Sequence, residues 1–282
     1  MLIDTHCHLD AAEFNADREE VAAQAKNAGV QMMVIPAVEV ANFQHVMALS
    51  AQHPHCCYAL GMHPMYVQNA GPSHIKQLFD LVEQTLRGDN KLVAIGEIGL
   101  DFFVSQRNET ESREIQEYFF AEQLKIAKHF DLPVILHVRR ALDEVLKHLR
   151  QAKVRGGIAH AFNGSPQQAQ EFIKLGFKLG FGGAMTYSRA LKIRELAKIL
   201  PLEAIVLETD APDIPPEWLG TKGRNQPQEL AKIAQVLAEL RGISMSQIIE
   251  ITGKNSMEIL PNLAALCTPP EVLHELGQKT LY

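Results

Sequence analysis

Eight short apolar runs recur along this chain, each followed by a stretch with helical patterning, and no hairpin-type turn joins any two of them. The runs are Leu2–Thr5, Val30–Val38, Cys56–Leu60, Leu92–Ile95, Pro133–Leu136, Gly157–Ala159, Phe177–Phe181 and Glu203–Leu207. Adjacent strands that cannot turn back directly must run parallel, with a helix as the crossover. Ile75, Leu78, Phe79, Val82 and Leu86 show the helical period of one such crossover, and Ser165-Pro166 opens another in the cap-then-proline pattern. Eight β/α units in 282 residues predict an α/β fold, a closed (β/α)8 TIM barrel. The rival is a doubly wound open sheet, which favours a glycine-rich first turn. Here the first turn reads His6-Cys7-His8. The expected organisation is one barrel domain over 1–260, followed by a C-terminal extension over 261–282 packed on it.

Composition narrows the function. The chain is 46% apolar and 21% charged, with a formal net charge of -6 and both signs interspersed. That argues against a general nucleic-acid coat or a membrane-surface protein, though a cationic cleft is compatible with it. Cys7, Cys56, Cys57 and Cys267 have neither metal-knuckle spacing nor a disulfide framework. No apolar run reaches transmembrane length, and no cationic-then-apolar leader opens the chain. A cytoplasmic protein with no membrane association and no obligate protein partner is expected.

Chemistry gathers at the predicted strand ends. His6 and His8, His63, Glu97, His137, His160 and Asp210 each fall at or just past the end of an apolar run. In a barrel these carboxyl-terminal ends converge on one face and build the active site. His6 and His8, two residues apart, share a strand face and suit a divalent metal. Structural readings compete with this. A lone His160 resembles a hydrogen-bonded core histidine, and Asp210 before Ala211-Pro212 resembles a turn residue. Glu97, between Ile95 and Ile98, needs a cation or a metal to offset its burial. His45, His53, His55, His74, His129, His148 and His274 fit no such pattern and read as structural. Mixed nitrogen and oxygen ligands in this number, one carboxylate being able to bridge, suit two divalent ions such as zinc, manganese, magnesium or cobalt.

The ordered segments Asp4-Thr5-His6-Cys7-His8-Leu9, Gly61-Met62-His63-Pro64, Gly96-Glu97-Ile98-Gly99-Leu100-Asp101, Pro133 to Arg139, His160-Ala161-Phe162-Asn163-Gly164 and Glu208-Thr209-Asp210-Ala211-Pro212 resemble the TatD family of metal-dependent deoxyribonucleases, within the amidohydrolase-like barrels. The resemblance implies that His6, His8 and Asp210 hold one metal, that His137 and His160 hold the other, and that Glu97 touches both. It implies that Asp210 orients or deprotonates the attacking water and that His63 faces the substrate phosphate. The family pattern Arg-Asn-Glu-Pro is here Arg224-Asn225-Gln226-Pro227, and Ala161 replaces a common cysteine. Glutamate at 97 separates the chain from relatives that use a carboxylated lysine at that strand.

The expected activity is metal-dependent hydrolysis of phosphodiesters, by in-line attack of a hydroxide bridging the metals. The expected substrate is single-stranded DNA or DNA ends, degraded as by a 3′-5′ exonuclease. Catalysis is assigned to Asp210, His63 and Glu97. Phosphate contacts are assigned to His63, Arg139, Arg224 and Asn225, with Arg189 and Arg194 as further cations. One alternative is a dinuclear hydrolase of a small phosphoester, amide or D-aminoacyl substrate, marked by a narrow pocket without a cationic path. The other is a non-catalytic interaction barrel.

Overall fold

In the computed structural model, residues 1–103 and 109–267 are described. The strands are β1 (Leu2–Asp4), β2 (Val30–Pro36), β3 (Cys56–Leu60), β4 (Leu92–Asp101), β5 (Val134–Arg139), β6 (Gly157–Ala159), β7 (Phe177–Phe181) and β8 (Ile205–Leu207). They pair in chain order, all in parallel. The crossover helices are α1 (Arg18–Asn27), α2 (Phe43–Gln52), α3 (Pro72–Thr85), α4 (Glu109–His129), α5 (Leu142–Ala152), α6 (Pro166–Lys174) and α7 (Leu191–Ile199), with α8 (Leu230–Arg241) and α9 (Met245–Ile259) after β8. The chain is the expected (β/α)8 barrel.

Local chemistry sets several boundaries. Ser165 caps α6, its hydroxyl accepting from the Gln168 N–H, and Pro166 fills the first helical position, where no N–H is needed. Ser244 caps α9 in the same way through Gln247. On α5, Val145, Leu146 and Leu149 form the buried face.

The seam between β8 and β1 closes the barrel. The Thr5 N–H and hydroxyl both donate to the Leu207 carbonyl, and the Asp210 N–H donates to the His6 carbonyl. The Asp4 carboxylate accepts from the Thr209 N–H at 3.0 Å and the Thr209 hydroxyl at 2.6 Å. Inside, Ile3, Val34, Ala59, Val93, Ile135, Ile158 and Val206 form one cluster. They come from seven strands, and only the lumen is common to seven strands. Ile259, Leu260 and Leu263 join that cluster, so the end of α9 and the start of α10 (Pro261–Cys267) cover its amino end. Asn262 ties α10 to the Leu92 carbonyl. Of the expected extension, 268–282 lies outside the described residues. None of the described helices is long and apolar enough to cross a membrane. The four cysteines are free, and burial pushes the Cys56 thiol up to about 12.

Asp4 couples the seam to pH. Burial pushes its carboxyl up to about 8, against the opposing hydrogen bonds from Thr209 and His6. Between its ordinary 3.8 and that value, the folded chain holds a proton that the unfolded chain has lost. This contribution to stability therefore falls as pH rises across that window. Asp4→Asn, neutral throughout, is expected to flatten that slope at little cost, whereas Asp4→Ala strands the Thr209 donors and costs about 1–3 kcal/mol. Urea unfolding at several pH values measures both, and an unchanged slope in the asparagine variant refutes the assignment.

Candidate metal centre

The seam delivers three of the expected groups to one point. β1 ends at Asp4, so His6 and His8 lie beyond the strand rather than within it. Their backbone is tied to neighbours on both sides, the Cys7 N–H donating to the Val34 carbonyl and the His8 N–H to the Ala211 carbonyl. Both rings reach one point, with the two Nε2 atoms 3.2 Å apart. Asp210 Oδ1 lies 3.5 Å from His6 Nε2 and 3.8 Å from His8 Nε2.

β4 runs farther than expected, through Gly96 to Asp101, and β5 includes His137. The three steps from Ile95 to Ile98 pair with the two from Val134 to Leu136, so β4 carries an extra residue at Gly96-Glu97. Such a bulge re-aims a side chain, and Glu97 is the residue it places among the histidines. Glu97 Oε2 lies 3.2 Å from His6 Nε2 and 3.4 Å from His8 Nε2. Glu97 Oε1 lies 3.0 Å from His137 Nδ1, 3.0 Å from His160 Nε2 and 3.4 Å from His63 Nε2.

One carboxylate thus meets five imidazoles, and its two oxygens divide them into two groups. Burial alone raises the Glu97 pKa, but His63, His6 and His160 together hold it well below the usual carboxylate range. Burial pulls His6 down to about 3, which leaves it a neutral donor of lone pairs. Burial also pushes Asp210 up to about 6, opposed by His160 and His8. The donor set suits divalent ions, because imidazoles and carboxylates converge in two groups that share Glu97. Against burial, the neighbouring carboxylates raise His8 to about 9 and lift His137 and His160 above the ordinary imidazole value.

His63 differs in one respect. Its Nδ1 accepts from the Met65 N–H at 3.1 Å, so the proton of the neutral ring sits on Nε2. A protonated nitrogen has no lone pair for a metal, but it can donate to an oxygen. Burial lowers the pKa of this ring.

Two expected phosphate contacts are spent elsewhere. Arg224 pairs with both carboxylate oxygens of Asp17, at 2.9 and 2.6 Å, and donates to the Glu13 carbonyl. Asn225 is fully buried, and its amide donates to the Thr209, Asp213 and Ile214 carbonyls. Both brace the loop that carries Asp210. Gln226 accepts from Gln228. Arg194 donates to the Met185 carbonyl, and Arg189 sits 5.8 Å from the Tyr187 ring. Arg139 is exposed where β5 ends, its guanidinium 3.6 Å from the Phe103 ring, with Arg140 at 4.5 Å from the same ring.

Four further side chains around the centre were not singled out as site residues from the sequence. Gln123 and Gln116, seven apart on α4, grip the backbones of Met62 and Asp101, just past β3 and at the end of β4. Asp101 Oδ2 reaches His137 Nε2 at 3.1 Å. Glu208 lies buried 3.7 Å from His160 Nδ1. A hint was present in the segment Glu208-Thr209-Asp210, which sets a second carboxylate two residues from Asp210.

A family model described as TatD related DNase matches residues 3–261. YjjV of Escherichia coli (strain K12), named an uncharacterized metal-dependent hydrolase, is 41% identical over 256 residues, covering 90% of this chain and 95% of its own. Deoxyribonuclease TATDN3 of Homo sapiens is 32% identical over 271 residues, with coverage of 94% and 96%. The crystal structure of YjjV, described as a TatD homolog, matches with a TM-score of 0.85 at 40% identity, covering 92% of this chain and 98% of that one.

Proposed function

Because the chain belongs to the TatD-related deoxyribonuclease family, we propose that it is a hydrolase of phosphodiesters that uses two divalent ions and removes nucleotides from the 3′ end of single-stranded DNA. The observation that carries this reading is the division of five imidazoles between the two oxygens of Glu97. In this reading His6, His8 and Asp210 would hold one ion, His137 and His160 would hold the other, and Glu97 would contribute to both.

When bound, such ions supply Lewis acidity toward phosphoryl oxygens and make water acidic enough to attack near neutral pH. The chain supplies the rest. Asp210, whose pKa burial pushes up to about 6, would take a proton from the attacking water in this reading. His63 presents an Nε2–H and serves as a donor to a phosphate oxygen or to the leaving oxygen. Glu97 keeps the histidines converged. Arg139 and Arg140, exposed where β5 ends, give a strand a cationic path out of the site, as a polymer substrate requires. The name of TATDN3 supports DNA as the substrate. Four free cysteines support a reducing, cytoplasmic location.

The test is hydrolysis of a 5′-labelled single strand by metal-stripped protein titrated with magnesium, manganese and zinc. A ladder shortening by single nucleotides, dependent on metal, is expected. Cleavage of neither DNA nor RNA while two ions stay bound refutes the nuclease reading and leaves a small-molecule hydrolase.

A further inference from the structure

Two buried carboxylates stand beside the centre without belonging to the proposed ligand set. His137 and His160 face the same oxygen, Glu97 Oε1, each at 3.0 Å, but with opposite ring nitrogens: Nδ1 from His137 and Nε2 from His160. A neutral imidazole carries one proton, so the nitrogen facing Glu97 keeps a lone pair only when the other nitrogen holds that proton. The two rings therefore need opposite tautomers.

The structure sets a buried carboxylate beside each, within hydrogen-bond distance of His137 and just beyond it at His160. His137 Nε2 lies 3.1 Å from Asp101 Oδ2, and Asp101 is 1% exposed. The other oxygen of Asp101 accepts from the Phe103 N–H, and Gln116 clamps its backbone on both sides. His160 Nδ1 is buried, and the oxygen it faces is Glu208 Oε1 at 3.7 Å. Glu208 is also 1% exposed, and its Oε1 accepts from the Ala161 N–H. Its Oε2 has no hydrogen-bond partner among the described residues. A Cβ on Gly180 would lie 2.1 Å from that Oε2, so β7 leaves this space to the carboxylate. Burying a carboxylate whose hydrogen bonds are not all filled is costly, and orienting a neighbour offsets that cost.

We infer that Asp101 and Glu208 are positioning residues that set His137 and His160 in opposite tautomers, protonated at Nε2 and at Nδ1 respectively. The nitrogens turned toward Glu97 are thereby left free for one divalent ion. The inference rests on the proposed metal role of Glu97, His137 and His160.

The test uses full-length zinc-loaded protein with 15N-labelled histidine and reads long-range proton–nitrogen correlations. His137 is expected as the Nε2–H form and His160 as the Nδ1–H form. Asp101→Ala and Glu208→Ala are each expected to weaken one of two zinc ions by about 10- to 100-fold in chelator competition, the other ion being retained. Asp101→Asn and Glu208→Gln, which keep an acceptor oxygen and the side-chain shape, are expected to recover part of that affinity. They also keep the test open if an alanine variant fails to fold. The inference is overturned by the reversed tautomer at either ring, by unchanged affinity in folded variants, or by equal loss of both ions. These readouts need no substrate. Two bound ions without nuclease activity refute the proposed function alone, whereas a wild type that binds no second ion overturns the metal reading and this inference together.

Discussion

Glu97→Gln is expected to lower metal-dependent hydrolysis of single-stranded DNA by about 10³-fold or more, a loss on the scale of removing a group that acts as part of a unit. Glu97 faces His6 and His8 with one oxygen and His63, His137 and His160 with the other. Glutamine keeps one oxygen, loses the charge and turns an N–H₂ toward nitrogens that need their lone pairs. On the proposed two-ion reading it therefore disturbs both metal positions at once.

The same substitution is expected to lower stability as well as activity. In chelator, the wild type still pairs this carboxylate with the imidazoles that hold its pKa down, so the glutamine variant should unfold at a lower temperature. With metal at about 100 times its dissociation constant, the wild type gains about 2.7 kcal/mol that the variant does not share. Thermal unfolding with and without metal, beside the nuclease assay, measures both effects. A variant that keeps wild-type activity refutes a role for Glu97 in holding the metal.

The second large effect is predicted at Gly99. Its φ is +147°, and a Cβ there would lie 1.9 Å from the His137 carbonyl oxygen. β4 and β5 approach this closely just after the bulge that aims Glu97, with Gly99 paired to His137. Gly99→Ala must push β5 away or break the pairing, and it is expected to cost about 3–5 kcal/mol, the range of severe backbone and packing conflicts. Any folded fraction should bind metal poorly, because His137 moves with its backbone. Chemical unfolding and metal titration check this together, and a loss below about 1 kcal/mol contradicts the close approach.

Several positions show why part of the site was legible in advance and part was not. His6, His63, Glu97, His137, His160 and Asp210 stand at or near the ends of apolar runs, and the structure brings them together. Their convergence follows from barrel topology, which places every strand's carboxyl end on one face. The bulge at Gly96-Glu97 was not legible, since it exists only as a mismatch between the registers of β4 and β5. Arg224 and Asn225 illustrate the same limit. As residue types they suit phosphate, but Asp17 and the Thr209 carbonyl had already engaged them. The grip of Gln116 and Gln123 on the strand ends depends on which face α4 turns inward.

The sequence by itself determined the fold class and the inventory of ligating side chains. Hydrophobic period and residue type are local properties, and parallel β/α units leave few ways to close. Only the tertiary structure decided which ring nitrogen each histidine offers, which carboxylates stand behind them and which arginines stay exposed. Those choices depend on partners far apart in the chain, such as Asp4 and Thr209 across the seam, 205 residues apart. A hydrogen bond is directional over about 3 Å, so its partner exists only once the barrel has closed.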